Sequence, residues 1–251
     1  MSRLNRILVE RYAEHYARVN PTIAPVEVEK RQYSAMQMMY GALVDLLPAG
    51  SRVLDLGCGT GILLQWLSKQ PGIVATGVDS SLTQIRIANQ SLEGIVVSCE
   101  DGLDHLGKHP DTFAGIFCFD VLEHLETEDL CLEWVEMSWC SLRSGGFFCC
   151  KVPNAASLTG SYSRYMDFTH RRLFTSTSLI QLLEAGGFQD NRLISIRAAD
   201  LRGRLRLAME ALLHRIIFII CGHGFERSFS SNVCAVGFKK GGSQGCLQRS
   251  P

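Results

Sequence analysis

The stretch VLDLGCGTG, residues 53–61, decides the fold. Residues 53–56 form an apolar run suited to a buried strand, and three glycines follow at alternate positions, Gly57, Gly59 and Gly61. A strand that enters a glycine-rich turn and then a helical pattern (61–69) opens a parallel α/β sheet. Turns of this kind often hold a phosphate against backbone N–H groups. Here Asp55 puts a carboxylate where a phosphate would be repelled. The spacing is D-x-G-x-G-x-G and not the G-x-G-x-x-G of a dinucleotide turn. A ligand with an ammonium group and a sulfonium centre, such as S-adenosylmethionine, reverses the preference.

Working outward, strands are expected at 52–56, 73–78, 95–98, 115–119 and 146–152, with helical patterns near 61–69, 82–90, 102–107 and 126–142. Near-continuous apolar strands alternating with helices imply a doubly wound, Rossmann-like α/β sheet covered on both faces. Residues 1–47 read as an N-terminal cap of two helices broken near NPTIAP, and 241–251 as a flexible tail. Beyond KVPN (151–154), a polar loop, AASLTGSYSRYMDFTHRRLF, leads to a helix capped near Ser176 or Thr177 and ending at AGGF. A strand at 192–197, a basic helical insertion at 200–222 and a last strand at 232–239 close one domain spanning 48–240.

With 251 residues, 46% hydrophobic, 20% charged and a formal net charge of zero, the chain lacks the basic bias of a dedicated nucleic-acid binder. The charged N-terminus has no signal-like apolar segment, and IIFIIC (216–221) is far too short to span a membrane. Ten cysteines occur without a CxxC pair or zinc spacing. Cys99, Cys118, Cys149, Cys150 and Cys234 lie in apolar runs as small hydrophobes, and Cys149 and Cys150 should face opposite sides of their strand. Buried, reduced thiols and a cytoplasmic location are the expectation.

In an open parallel sheet the ligand lies beyond the C-terminal strand ends. Asp79, followed by Ser80, ends the second strand and suits ribose hydroxyls. Glu100 and Asp101 follow the third strand; either suits an adenine amino group or the first turn of a helix. VLDLGCGTG, Asp79, Glu100-Asp101 and FDVLEHL (119–125) together resemble the class I S-adenosylmethionine-dependent methyltransferases over roughly residues 30–240. That resemblance implies a seven-stranded sheet with an antiparallel last strand. It also implies a cofactor site at Asp55, Gly57, Cys58, Gly59, Gly61, Asp79, Ser80, Glu100, Asp101 and Asp120. Gly57 and Gly59 would pass under the methionine moiety.

On the acceptor side, Asp120, Glu123 and His124 fall within five residues. They suit acceptor positioning, proton removal by His124 or a divalent metal; capping by Asp120 and Glu123 is the plainer alternative. The segment resembles the LEH stretch of ubiquinone-biosynthesis-type O-methyltransferases, some linked to a metal; no metal is assigned. Asp167 and His170 are three apart, so in a helical turn Asp167 could orient His170 as a general base; equally, His170 and Arg171 could be loop residues that cap the following helix or pair with Asp167. DFTH…F followed by AGGF is also similar to sugar and small-molecule methyltransferases. In the basic helix, Leu201, Leu205, Ala208, Leu212 and Ile216 form an apolar stripe, suited either to core packing with a solvated basic face or to a peripheral membrane contact or lid. The expected function is methyl transfer from S-adenosylmethionine, most simply to an oxygen of a small-molecule, sugar or lipid-linked acceptor. A nicotinamide-dependent oxidoreductase and a non-catalytic methyltransferase-like binding protein are the alternatives.

Overall fold

The structure, a computed structural model, describes residues 7–8, 25–223 and 226–241. The first of the two expected N-terminal helices lies almost wholly outside the described residues; the second is α1 (Pro25–Val44). The chain then alternates as expected: β1 (Ser51–Leu56), α2 (Ile62–Leu67), β2 (Ile73–Asp79), α3 (Leu82–Ser91), β3 (Val96–Cys99), α4 (Gly102–Lys108), β4 (Phe113–Phe119), α5 (Glu128–Ser141) and β5 (Leu142–Pro153). A single 3-10 turn, Leu122–His124, separates β4 from α5. The remaining elements are α6 (Gly160–Met166), α7 (Ser176–Ala185), β6 (Gln189–Leu193), α8 (Leu201–Ile220) and β7 (Asn232–Phe238).

The seven strands form one sheet in the order β3-β2-β1-β4-β5-β7-β6. β7 runs antiparallel to both β5 and β6, and every other pairing is parallel. Strand order reverses between β1 and β4, so the glycine turn and the loop after β4 flank the crevice where such sheets bind ligands. Each face carries its own core. One gathers Leu54, Ile116, Phe148 and Cys150 under α5 and α7; the other gathers Val53, Phe117, Phe147 and Cys149 under α1, α2 and α3. Cys149 and Cys150 thus face opposite sides, as the pleat requires. α1 caps its face through Tyr40, whose ring meets Phe117 at 5.7 Å and Phe119 at 5.0 Å.

Several elements depart from expectation. β6 begins three residues earlier than expected and ends at Leu193; its pairing with β7 is irregular between Gln189 and Arg192, where Asp190 adopts φ +50°. The expected polar loop contains α6, which the short GSYSRYM sequence, too brief for a clear apolar period, does not advertise. α7 is capped by Thr175, one residue before the predicted cap, in a reciprocal capping box with Ser178. Among the described cysteines, eight lie outside any disulfide, as expected, whereas Cys140 is disulfide-bonded.

The largest difference concerns α8. Its apolar stripe faces solvent: Leu201, Leu205, Leu212 and Ile216 are all exposed, and Ala208 with them. Packing falls to the opposite face, where buried His214 accepts the Leu158 N–H at 2.6 Å and its ring lies tilted against Phe229, centroids 5.1 Å apart. The core-packing reading of the stripe is therefore wrong. Among the described residues, no helix is long and apolar enough to cross a membrane.

Candidate active site

Strand ends and turns build the site around carboxylates. After β1 the chain turns through Gly57 (φ +84°), Gly59 (φ +52°) and Gly61 (φ +84°), backbone conformations open to glycine and costly for other residues. A Cβ on Gly57 would stand 2.3 Å from Val121 Cγ2, so the turn is pressed against the loop after β4. Gly57 and Cys58 both donate their N–H groups to the Val78 carbonyl, at 2.8 and 3.0 Å. Gly59 N–H donates to Asp79 Oδ2 at 2.9 Å, and Ser81 N–H to Asp79 Oδ1 at 2.8 Å. The carboxylate at the end of β2 is thereby fixed across the mouth of the turn.

Asp55 lies buried at the C-terminal part of β1. Burial first, and the neighbouring Asp79 charge second, push its carboxyl up to about 8, with Lys151 opposing. The Cys58 thiol is raised for the same reasons, chiefly by burial and then by Asp55 and Asp79. Asp120 adopts φ +56°, a left-handed conformation that aspartate tolerates better than most residues. Its carboxylate pairs with Lys151 Nζ at 2.7 Å. Burial works against the Lys151 charge, but Asp120 outweighs it and holds the ammonium above its ordinary pKa. Lys151, at the end of β5, is a site residue that sequence reasoning missed; a lone lysine closing the apolar run FFCCKVP was the available signal.

After β3 the two expected acids have local duties. Glu100 pairs with His105 Nδ1 at 2.8 Å and Lys108 Nζ at 2.5 Å, hydrogen bonds that lower its pKa. Asp101 caps α4, accepting the Leu103 N–H at 2.9 Å, and remains exposed at the sheet edge. Ser80 is exposed, and its carbonyl accepts from the Cys99 thiol.

Across the crevice, the 3-10 turn brings Glu123 and His124 beside His170. One ligand atom from each lies within 4.8 Å of the others, and the imidazoles of His124 and His170 are 4.9 Å apart. Glu123 is buried, and neither of its carboxylate oxygens has a hydrogen-bond partner on another residue. Burial, then Asp120, push its carboxyl well above the ordinary range. Burial, then His170, lower the His124 imidazole to about 4. The expected Asp167–His170 pair does not form. The segment after Met166 is a turn and not a helix, so Asp167 Oδ1 instead accepts the Thr169 N–H at 2.8 Å and hydroxyl at 2.6 Å. Thr169 Oγ1 in turn meets His124 Nδ1 at 2.8 Å. Asp167 thus orients His124 through Thr169, while His170 Nδ1 donates to the Ser163 carbonyl of α6 at 2.6 Å. Both imidazoles are anchored at Nδ1, His124 by the Thr169 hydroxyl and His170 by the Ser163 carbonyl. Capping of α5 falls to Thr127, leaving Asp120 and Glu123 for the crevice.

Two carboxylates, Asp79 and Asp120, against one ammonium, with the Asp55 carboxyl able to ionise when a cation enters, make this crevice fit a cationic ligand better than a phosphate. Residues 29–193 match the family model described as a methyltransferase domain. The chain belongs to this family. S-adenosylmethionine is the cofactor of class I methyltransferases, and the donor set here fits it. The ubiquinone biosynthesis O-methyltransferase of Klebsiella pneumoniae subsp. pneumoniae is 36% identical over 80 residues, 30% of this chain and 33% of that protein. The match therefore spans about a third of that relative's length. A solved S-adenosylmethionine-dependent methyltransferase from Archaeoglobus fulgidus shares the fold, with TM-score 0.61 and 21% identity over 85% of this chain and 98% of that one. So does Haemonchus contortus phosphoethanolamine N-methyltransferase 2 in complex with S-adenosyl-L-methionine, with TM-score 0.55 and 15% identity over 84% of this chain and 52% of that one.

Proposed function

We propose that this chain transfers a methyl group from S-adenosylmethionine to an oxygen of a small-molecule, sugar or lipid-linked acceptor. The observation that carries this reading is the pairing, across one crevice, of a glycine turn that holds the Asp79 carboxylate with a cluster of buried His170 and half-buried His124. In the reading, Asp79 and Ser80 take the ribose side, Asp101 and Glu100 the adenine side, and Gly57, Cys58, Gly59 and Gly61 line the amino-acid portion. Asp79 and Asp120 supply negative field, and a bound cation favours ionisation of Asp55. S-adenosylmethionine brings an electrophilic methyl on a sulfonium: the acceptor oxygen forms the new bond, the C–S bond breaks, and its electron pair stays on sulfur. The chain's own task is then to align the acceptor and take up the hydroxyl proton. His170 suits that task because the Ser163 carbonyl anchors its Nδ1, and His124 lies beside it with the ring centroids 4.9 Å apart. Asp167 acts through Thr169 as a positioning residue.

A second reading is favoured by one observation, the buried Glu123 carboxyl group without a hydrogen-bond partner, within 4.8 Å of both imidazoles. A divalent cation held by Glu123, His124 and His170 would satisfy it and orient the acceptor oxygen. This differs from the cluster considered from sequence, since His170 replaces Asp120.

Calorimetric titration tests the cofactor reading. S-adenosylmethionine should bind and NAD should not, and Asp79→Ala should weaken binding about 10- to 100-fold through loss of charged hydrogen bonds. Affinity within a few-fold of the parent would overturn the site assignment. For the acceptor side, S-adenosylhomocysteine release is followed with polar and lipid extracts as acceptor. His170→Gln or His124→Gln should slow turnover about 10²-fold or more with cofactor affinity retained. If both variants keep full turnover, proton removal by these histidines is excluded.

A further inference from the structure

α8 carries an apolar stripe that no described residue covers. Leu201, Leu205, Met209, Leu212, Ile216 and Ile220 recur at helical spacing along one face and are between 46 and 78% exposed. The opposite face packs through Leu207, Ala211, His214 and Phe218, so the helix is held in place by one side only. Its start is tied down as well, by the Asp200 cap on Gly203 N–H at 2.6 Å and by the Arg31–Asp200 ion pair at 3.4 Å. A fixed helix presenting aliphatic side chains outward over five turns is not an ordinary solvated surface.

The charges select the occupant. α8 contains four arginines, Arg202, Arg204, Arg206 and Arg215, against one acid, Glu210. At about 100° per residue, Arg202 and Arg206 fall along one edge of the stripe and Arg204 and Arg215 along the other. All four are exposed. An apolar stripe bordered on both sides by guanidinium groups matches the boundary between acyl chains and anionic headgroups. A second copy of the helix would meet the same arginine borders with a single glutamate per copy to offset them, which disfavours self-pairing.

A neighbouring element exposes aromatic side chains of its own. α6 and the turn after it expose Tyr162, Tyr165 and Phe168, with Arg164 lying over the Tyr165 ring at 5.1 Å. α6 is linked to α8 by the Leu158–His214 hydrogen bond just before it, and to the crevice by the Ser163–His170 hydrogen bond within it. Aromatic rings beside an arginine suit the headgroup level of a bilayer.

We infer that the apolar stripe of α8, with its arginine borders, is a docking surface for an anionic lipid bilayer. This goes beyond the methyl-transfer reading and stands without it, since it requires only the exposed stripe and its arginine borders.

Flotation with vesicles tests it. The full chain should bind phosphatidylcholine vesicles that contain phosphatidylglycerol, bind pure phosphatidylcholine weakly, and lose binding as salt is raised. Leu205→Gln/Leu212→Gln/Ile216→Gln should weaken binding about tenfold or more, because the stripe supplies the buried apolar area. Arg202→Gln/Arg204→Gln should weaken it about fivefold per arginine. The altered positions are exposed, so both variants should keep the parent's circular dichroism and thermal midpoint. Titration with S-adenosylmethionine on the same samples separates this surface from the cofactor site. Absence of parent binding to the anionic vesicles overturns the proposal, as does binding that both variants retain. A concentration-dependent dimer in light scattering that the apolar variant abolishes, without vesicle binding, assigns the stripe to a second copy and also overturns it.

Discussion

Asp55 permits a prediction with a definite sign. Its carboxyl is buried beside Asp79 and ionises near pH 8 in the folded chain, against about 4 for an unfolded aspartate. The folded state therefore holds a proton that the unfolded state has released throughout that window. Stability from this group is fully present below about pH 4, falls by about 1.4 kcal/mol per pH unit as pH rises, and levels off above the folded value near 8. Between pH 6 and 8 the loss is about 2 kcal/mol, since the slope is already flattening at the upper end. Asp55→Asn keeps the shape and removes the titration. Urea unfolding of parent and variant at pH 6, 7 and 8, without cofactor, should show the parent losing about 2 kcal/mol more than the variant. Saturating S-adenosylmethionine should reduce that difference, because a cationic ligand favours the ionised carboxyl. Parallel pH profiles would refute the placement of a protonated Asp55 beneath the glycine turn. So would a variant that loses more stability than the parent with rising pH.

Other outcomes follow from individual side chains. Gly57→Ala sets a methyl against Val121 and forces a β-carbon onto a left-handed backbone, so it should cost about 1–3 kcal/mol in thermal unfolding and weaken cofactor binding at least about tenfold; unchanged affinity in calorimetry would contradict the close approach. Glu123→Gln should leave stability within about 1 kcal/mol, because burial already keeps that carboxyl protonated. The same variant should abolish any stimulation of turnover by added magnesium or manganese. His124, lowered to about 4, is neutral when folded and protonated below about 6.5 when unfolded. Its contribution is present above that value and is lost as pH falls toward 4, so His124→Gln should flatten acid unfolding between pH 6.5 and 4. Thr169→Val should shift the pH dependence of turnover while cofactor affinity stays constant, since it severs the link from Asp167 to His124.

The fold was legible because its cause is local. Apolar runs such as 53–56 and 115–119 need two covered faces, and the glycine turn between β1 and α2 fixes the parallel entry. The anionic half of the crevice was legible for the same reason: Asp55 and Asp79 stand at fixed distances from a strand end. The acceptor side was less so. Asp167 and His170 have helical spacing, but the chain turns after Met166, and only tertiary contacts show that Thr169 carries Asp167's influence to His124. His170's place beside Glu123 depends on the Glu123 carbonyl, which accepts the Arg171 N–H at 2.7 Å, a long-range bond with no sequence mark. α8 misled for another reason. Periodicity shows that a helix has an apolar face but not which way that face points.

The distribution of thiols makes the molecule its own reporter. Of the eight described cysteines outside a disulfide, six are buried, and only Cys99 and Cys221 are exposed. Cys99 ends β3 beside Ser80 on the adenine side, and Cys221 closes α8 at the end of the arginine-bordered stripe. A maleimide dye thus finds two natural attachment points among these positions, one at each surface where a ligand is expected. A change in emission at Cys99 would register the nucleoside, and one at Cys221 the approach of lipid, in the same sample and without an engineered handle.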